Sequence, residues 1–348
     1  MKKICAIGHF GLEKTLLNGQ TIKTKIFTNQ LAHVYGENEI QRVDTHGGVR
    51  AILSVVFNVF SGMKECLNII IFPSDNGLKI IVPLIAIFNL LFKRKLHYIV
   101  IGGYLQDYLK EHKWITLLLR RYKGIYVETE PMKQALELSG FNNVFVVPNC
   151  KEINVLRNSA INNNIRDRFD FCTFSRVMKS KGIEDAVDAI EKINKKYGKT
   201  LCTLTIYGEV DKKEYEWFEA LKHRISSIDG ICYGGVVPFD KSVEALKDYY
   251  SLLFPTYYEG EGFAGTLIDA FAAGVPVIAT DWHYNSCIVK NMHTGIIYET
   301  SKTEKLQESI EFAIGHQEEW IKMKSNCLTV ARELAPSNVV KLITQNID

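Results

Sequence analysis

Short apolar runs recur along the chain, most followed by a glycine-bearing or polar turn and an amphipathic stretch. They occupy residues 4–7, 68–72, 97–101, 125–130, 144–147, 169–174, 203–207 and 275–279. Runs this short, rich in Ile, Val and Phe and bounded by turn residues, read as buried strands. Between them the apolar positions return at helical spacing. Helices are expected from near residue 22, over 49–60 and 77–92, after Thr129-Glu130-Pro131, over 183–192 and over 265–273, and residues 303–348 look helical throughout. Strand and helix alternation predicts an α/β protein with mostly parallel sheets covered on both faces. The most apolar run, 80–92, is 13 residues long and contains Pro83 and Asn89. A membrane span needs about 20 residues, so this run predicts a core helix. The opening eight residues are too short an apolar run for a signal peptide and read as a first strand.

At 348 residues the chain can hold two cores. Residues 151–168 are poor in apolar side chains and carry Asn158, Asn162, Asn163 and Asn164. This predicts a first domain over 1–155, a linker over 156–168 and a second domain over 169–330, with 331–348 a final helix. With 47% hydrophobic and 23% charged residues the chain is globular, not disordered. The net charge of +3 hides an asymmetry: residues 1–155 sum to +7 and residues 156–348 to −4. Lys93, Arg94 and Lys95 directly follow the apolar run, and Lys110, Lys113, Arg120, Arg121 and Lys123 are interleaved with Trp114 and residues 117–119. Such a mixture can hold an anionic membrane surface, and an ordinary solvated helix face accounts for it equally well. A nucleic-acid partner is excluded by the modest surplus and the absence of a motif. Eight cysteines without a Cys-x-x-Cys pair point to buried thiols in a reducing, cytoplasmic setting, and not to disulfides or zinc.

The densest chemistry lies in residues 257–281. A loop with Glu259, Gly260, Glu261 and Gly262 opens a helix at Gly265, and Gly274 and Pro276 stop it. Free N–H groups at the start of that helix, around Phe263, Ala264, Gly265 and Thr266, favour an anion such as a phosphate. Asp269 follows Glu261 by eight positions, about two helical turns, and so faces the same side. One acid near a phosphate and one near a diol would suit a sugar nucleotide. Earlier in the chain, Arg176 and Lys181 flank a strand-to-helix turn, where both can point at one anion. The first strand runs into Gly8-His9-Phe10-Gly11 and then Asn18-Gly19-Gln20-Thr21 before a helix, the opening of a nucleotide-binding βαβ unit without the dinucleotide fingerprint. His9 as a base and Gly19 and Gln20 as ligand contacts compete there with a plain turn.

Glu261-Gly262-Phe263-Ala264, Asp269-Ala270 and residues 273–280, Ala-Gly-Val-Pro-Val-Ile-Ala-Thr, resemble the signature of glycosyltransferase family 4, retaining enzymes of the GT-B fold. Residues 175–182, with Arg176 and Lys181, resemble the same family's diphosphate-binding turn. Pro148-Asn149-Cys150 is similar to its Pro-Asn-Gly. The resemblance covers the second domain by specific motifs and the first by pattern alone. It implies two Rossmann-like, doubly wound domains facing a central cleft, with the final helix crossing back to the first. It implies Glu261, Arg176 and Lys181 as catalytic residues. It also implies donor contacts from Asp269, residues 262–266, Gly208, Val236, Gly19, Gln20 and Asn149. The implied reaction moves a sugar from a nucleotide diphosphate sugar, a UDP-sugar above all, to a saccharide hydroxyl. The acceptor would be lipid-linked, in surface polysaccharide assembly at the inner face of the plasma membrane. No cofactor and no metal is expected, because an Asp-x-Asp motif is absent and two cations can serve the diphosphate. The sequence departs from the pattern at Ser175, Ala264, Asp269 and Cys287, and at Gly102-Gly103 where relatives carry a histidine. Two rival readings stay open: a non-catalytic nucleotide-sugar-binding partner of another transferase, and a GT-B sugar-nucleotide epimerase.

Overall fold

A computed structural model describes residues 1–11, 19–47, 52–300 and 303–347. Asn18 and the expected helix start at Val49 lie outside the described residues. The chain divides into two compact units, one formed by residues 1–152 and 334–348 and the other by residues 153–333.

The first unit alternates strand and helix: β1 Lys2–Gly8, α1 Gly19–Tyr35, β2 Ile40–Asp44, α2 Ile52–Glu65, β3 Cys66–Ile71, α3 Asp75–Phe92 and β4 Lys95–Ile99. There follow α4 Leu105–Glu111, α5 Lys113–Leu119, β5 Gly124–Val127, α6 Glu130–Leu138 and β6 Val144–Val146. Its six strands lie in the order β2-β1-β3-β4-β5-β6, all parallel. Strands β1, β3 and β5 bury nearly every side chain because helices cover the sheet, which is why these runs read as continuous apolar segments and not as alternation. Edge strand β2 was not legible for the same reason in reverse: only Ile40 and Val43 of its five residues are buried.

The second unit repeats the plan: β7 Phe169–Phe174, α7 Ile183–Tyr197, β8 Cys202–Tyr207, α8 Tyr215–Ile225, β9 Ile231–Gly235 and α9 Ser242–Leu246. Then come β10 Ser251–Phe254, α10 Gly265–Ala272, β11 Val277–Thr280, α11 Asn285–Ile288, β12 Gly295–Tyr298, α12 Thr303–Gly315 and α13 Gln317–Glu333. The strand order is β12-β11-β10-β7-β8-β9, again all parallel. Helix α7 shows how the sequence specifies such an element. Ile183, Ala186, Val187, Ile190 and Ile193 are buried along one face. Glu184 and Asp185 fall in the first turn and Lys195 and Lys196 in the last, each matching the helix dipole. Gly198 ends the helix in a left-handed conformation at φ 64°.

Helix α14, Pro336–Ile347, follows α13 in sequence and belongs to the first unit. Its Val339, Val340, Ile343 and Ile347 join Ile26, Phe27 and Leu31 of α1 in one apolar cluster. Residues 156–168, expected as a linker, are instead strapped onto the second unit. The Leu156 N–H donates to Ala272 O at 2.8 Å, Arg166 N–H to Gln317 Oε1 at 2.8 Å, and Lys324 Nζ to Asn162 O at 2.6 Å. The buried Lys324 ammonium needs an acceptor, and the backbone of this polar stretch supplies it. Among the described residues no helix is long and apolar enough to cross a membrane.

Candidate active site

In a doubly wound sheet, ligands bind beyond the C-terminal ends of the strands where the winding reverses. In the second unit that point falls between β7 and β10, because the chain winds from β7 through β8 to β9 and then returns to the other side of β7. The loops leaving these two strands carry Arg176 and Lys181 on one side and Thr256 and Glu261 on the other.

Two glycines bring the backbone together there. Gly182 has φ 68°, and a Cβ on it would lie 2.0 Å from Pro255 O. Gly208, just past β8, has φ 138°, and a Cβ would lie 1.7 Å from Ser175 O. No other residue fits either place. The β7 loop is therefore pressed between the loops after β10 and β8. Tyr257 N–H donates to Ser180 O at 2.8 Å, and Val177 N–H to Glu209 O at 2.8 Å.

This packing puts Lys181 Nζ 2.5 Å from Glu261 Oε2, with side-chain exposures of 10% and 9%. Thr256 Oγ1 donates to the same Glu261 oxygen at 2.9 Å, and the Lys181 ammonium stands 4.8 Å from the Tyr258 ring centroid. A cation and a hydroxyl thus both face the buried Glu261 side chain. Arg176 is different: 58% exposed, with a 3.5 Å contact to Asp211. The loop after β10 is held from behind by Thr280 Oγ1 donating to Thr256 O at 2.6 Å and by Trp282 Nε1 donating to Tyr258 O at 2.9 Å.

Gly262 and Phe263 are buried and Ala264, Gly265 and Thr266 half-buried where α10 begins. Ala264 caps the helix in an extended conformation, φ −64° and ψ 124°, and the Thr266 hydroxyl donates to Phe174 O at the end of β7. A missing glycine at position 264 therefore costs the backbone nothing. Asp269 is only 2% exposed and accepts from Ser242 Oγ at 2.8 Å. Val236 is 65% exposed beyond β9, next to Gly235 at φ 79°. Tyr207 and Tyr249 hydroxyls meet at 3.0 Å, and burial pushes the Tyr249 phenol far above its ordinary range, so it stays neutral. Cys287 is exposed, with its thiol raised mainly by desolvation and then by Asp281.

The structure thus brings Arg176, Lys181, Glu261, Gly208 and residues 262–266 to the C-terminal ends of the central strands of one sheet. Gly19, Gln20 and Asn149 belong to the first unit. Gly19 opens α1, Gln20 Nε2 donates to Phe72 O at 3.3 Å, and Asn149 Oδ1 accepts from Cys150 N–H at 3.0 Å. His9 is there too, with Nδ1 2.8 Å from Thr21 Oγ1 and Nε2 3.0 Å from His46 Nδ1. Desolvation and then His46 lower its pKa, so His9 favours the neutral form. Thr256, Asp211 and Ser242 were not singled out from the sequence. Each is a small polar residue without motif context, and only the fold reveals that it faces Glu261, Arg176 or Asp269. Among the described residues no cluster of three or more His, Cys, Asp or Glu could hold a metal ion.

Residues 156–328 match the model of the family described as glycosyl transferases group 1. An uncharacterized glycosyltransferase of Methanocaldococcus jannaschii, MJ1069, is 23% identical over 153 residues, 43% of this chain and 37% of that protein. The chain therefore spans little more than a third of the curated relative it matches. Among solved structures, Anabaena Alr3699/HepE in complex with UDP superposes with a TM-score of 0.77 at 15% identity, covering 99% of both chains. Sucrose-phosphate synthase from Thermosynechococcus elongatus superposes with a TM-score of 0.76 at 14% identity, over 99% of this chain and 98% of the other. The two doubly wound units are those of the GT-B fold.

Proposed function

We propose that the protein, whose residues 156–328 match the glycosyl transferases group 1 model, transfers a sugar from a UDP-sugar to a hydroxyl of a saccharide acceptor, with retention at the anomeric carbon. The carrying observation is the position of Arg176, Lys181 and Glu261 at the winding reversal between β7 and β10. The HepE structures were solved with UDP and with UDP-glucose, which favours uridine as the donor base.

In this reading the diphosphate sits between the exposed Arg176 guanidinium, Lys181 and the N–H groups at Gly265 and Thr266. Arg176 needs only to leave a 3.5 Å contact with Asp211. Both cations oppose charge growing on the leaving phosphate, the kind of help that usually contributes most to a rate. Glu261, positioned by Thr256 and Lys181, faces the sugar hydroxyls and the cationic ring. The bond from the anomeric carbon to phosphate oxygen breaks, the acceptor oxygen bonds on the same face, and its proton passes to the leaving phosphate. For a ribose diol to reach the Asp269 carboxylate it has to displace the Ser242 hydroxyl. Acceptor recognition falls to the first unit, with a lipid-linked saccharide of a surface polysaccharide as the acceptor class. The Arg176–Lys181 pair does on the diphosphate what a metal ion would do, so transfer proceeds without one.

Thermal unfolding with UDP, GDP, dTDP and ADP tests this. Saturating UDP at a hundred times its dissociation constant raises stability by about 2.7 kcal/mol. Arg176→Ala, at an exposed position, leaves the unliganded melting temperature unchanged and removes most of the UDP shift. A UDP shift of equal size in the variant, or none in the parent, refutes the assignment.

A further inference from the structure

Large apolar side chains stand exposed on two adjacent helices of the first unit. On α2 they are Leu53 at 85%, Phe57 at 72% and Phe60 at 39%. On α3 they are Ile80 at 52%, Ile87 at 62% and Leu91 at 74%, spaced seven and four residues apart and so on one helical face. Phe60 ties the two helices together, its ring edge-on to Phe88 and Phe92 with centroids 5.3 Å away in each case. Soluble monomers rarely leave so continuous an apolar surface without a partner.

The face ends in cations. Leu90, Leu91 and Phe92 run directly into Lys93, Arg94 and Lys95, and Lys64 lies in the last turn of α2, just before its final residue Glu65. Lys3, Lys93, Arg94, Lys95 and Leu67 line a cavity of about 280 Å³, and no carboxylate is among its described lining residues. Arg94 is fixed there by donating from Nε to Met63 O at 2.7 Å and from Nη2 to Lys64 O at 3.2 Å. The basic cluster nearer residue 120 has a smaller apolar complement, with Trp114 46% and Leu117 61% exposed on the short helix α5. Arg120 is engaged with Ser139 O and lies 5.6 Å from the Phe141 ring, and Leu119 is fully buried.

We infer that the α2–α3 face of the first unit docks on an anionic lipid bilayer, with Leu53, Phe57, Ile87 and Leu91 entering the acyl boundary and the Lys93–Lys95 cavity taking headgroup phosphates. Apolar side chains beside a cation-lined hollow match the two layers of such a surface, hydrocarbon below and negative charge above. A second copy is the poorer occupant, because it would bring one set of these cations toward another. The inference goes beyond sugar transfer and does not depend on it.

Flotation of the full chain with vesicles tests it. Phosphatidylcholine vesicles leave the protein in solution, and replacing a third of the lipid with phosphatidylglycerol carries it to the lipid layer. Phe57→Ser with Leu91→Ser lowers partitioning more than about tenfold, from the lost apolar contact. Lys93→Gln and Lys95→Gln each lower it about fivefold and flatten its salt dependence. All variants keep the parent melting temperature, because the altered side chains are exposed. The inference is overturned if the parent ignores anionic vesicles, or if the double serine variant floats like the parent. It is also overturned if sedimentation shows a dimer, dissolved by the serine variant, without vesicle binding; the occupant is then a second copy.

Discussion

Replacing Lys181 by Met isolates the electrostatic core of the site. The change keeps most of the side-chain length and removes the ammonium from Glu261. Breaking a buried ion pair from one side costs about 3–5 kcal/mol, because a charge stays behind in the interior. Here Glu261 retains the Thr256 hydroxyl at 2.9 Å, and neither partner is fully dry. The expected loss is therefore at the low end, about 3 kcal/mol. In urea, with a slope of about 2 kcal/mol per molar for a unit of this size, the midpoint falls by about 1.5 M. Intrinsic fluorescence reads it well, since Trp217, Trp282 and Trp320 lie in the second unit and only Trp114 in the first. Lys181→Met with Glu261→Gln should recover much of the loss, because a neutral amide needs no counter-charge. The cycle then gives a coupling of at least about 2 kcal/mol. A Lys181→Met midpoint unchanged from the parent, or a double variant equal to the sum of the singles, refutes the argument.

Two further outcomes follow from the geometry. His97 is buried between Tyr126 Oη at 3.0 Å and Asn68 Oδ1 at 3.3 Å, and desolvation lowers its pKa to about 4. The unfolded chain takes up this proton near pH 6.5, before the folded chain does. Stability is therefore lost as pH falls from 6.5 toward 4, by up to about 3 kcal/mol, and no further below that. Melting curves of parent and His97→Gln should diverge over this window, and parallel curves would count against it. Gly208→Ala forces a Cβ onto Ser175 O and should lower stability by more than about 3 kcal/mol while abolishing the UDP shift. Gly198→Ala, at φ 64° with nothing within 4 Å of the added Cβ, should cost only the left-handed backbone strain of about 1–2 kcal/mol; equal losses in the two would contradict the packing argument.

What was legible in the sequence was what burial and backbone geometry impose on residue type. Strands covered on both faces must be apolar throughout, so β1, β3 and β7 stand out, whereas β2 exposes most of itself and β9 ends in two glycines. Arg176, Lys181 and Glu261 could be placed beyond the strand ends from the turns around them. Their partners could not, because the Thr256, Asp211 and Ser242 contacts depend on which loops the sheet order makes neighbours. The buried state of Asp269 was equally hidden, since an acid in the second turn of α10 can face either the ligand side or α9. Residues 156–168 read as a linker from composition, yet their backbone is bound by Gln317 and Lys324, more than 150 positions later.

The assignment of residues 334–348 to the first unit has a consequence for biosynthesis. Residues 1–152 leave the ribosome with the α1 surface around Ile26, Phe27 and Leu31 uncovered, and the helix that covers it is separated from them by the entire second unit. At about 5–20 residues per second, that wait lasts roughly ten to forty seconds. Throughout it, a finished sheet carries an open apolar groove, which makes the nascent first unit a natural client for a chaperone. It also means that a chain shortened by one helix at residue 335 would fail in the unit made first, not in the unit it was cut from.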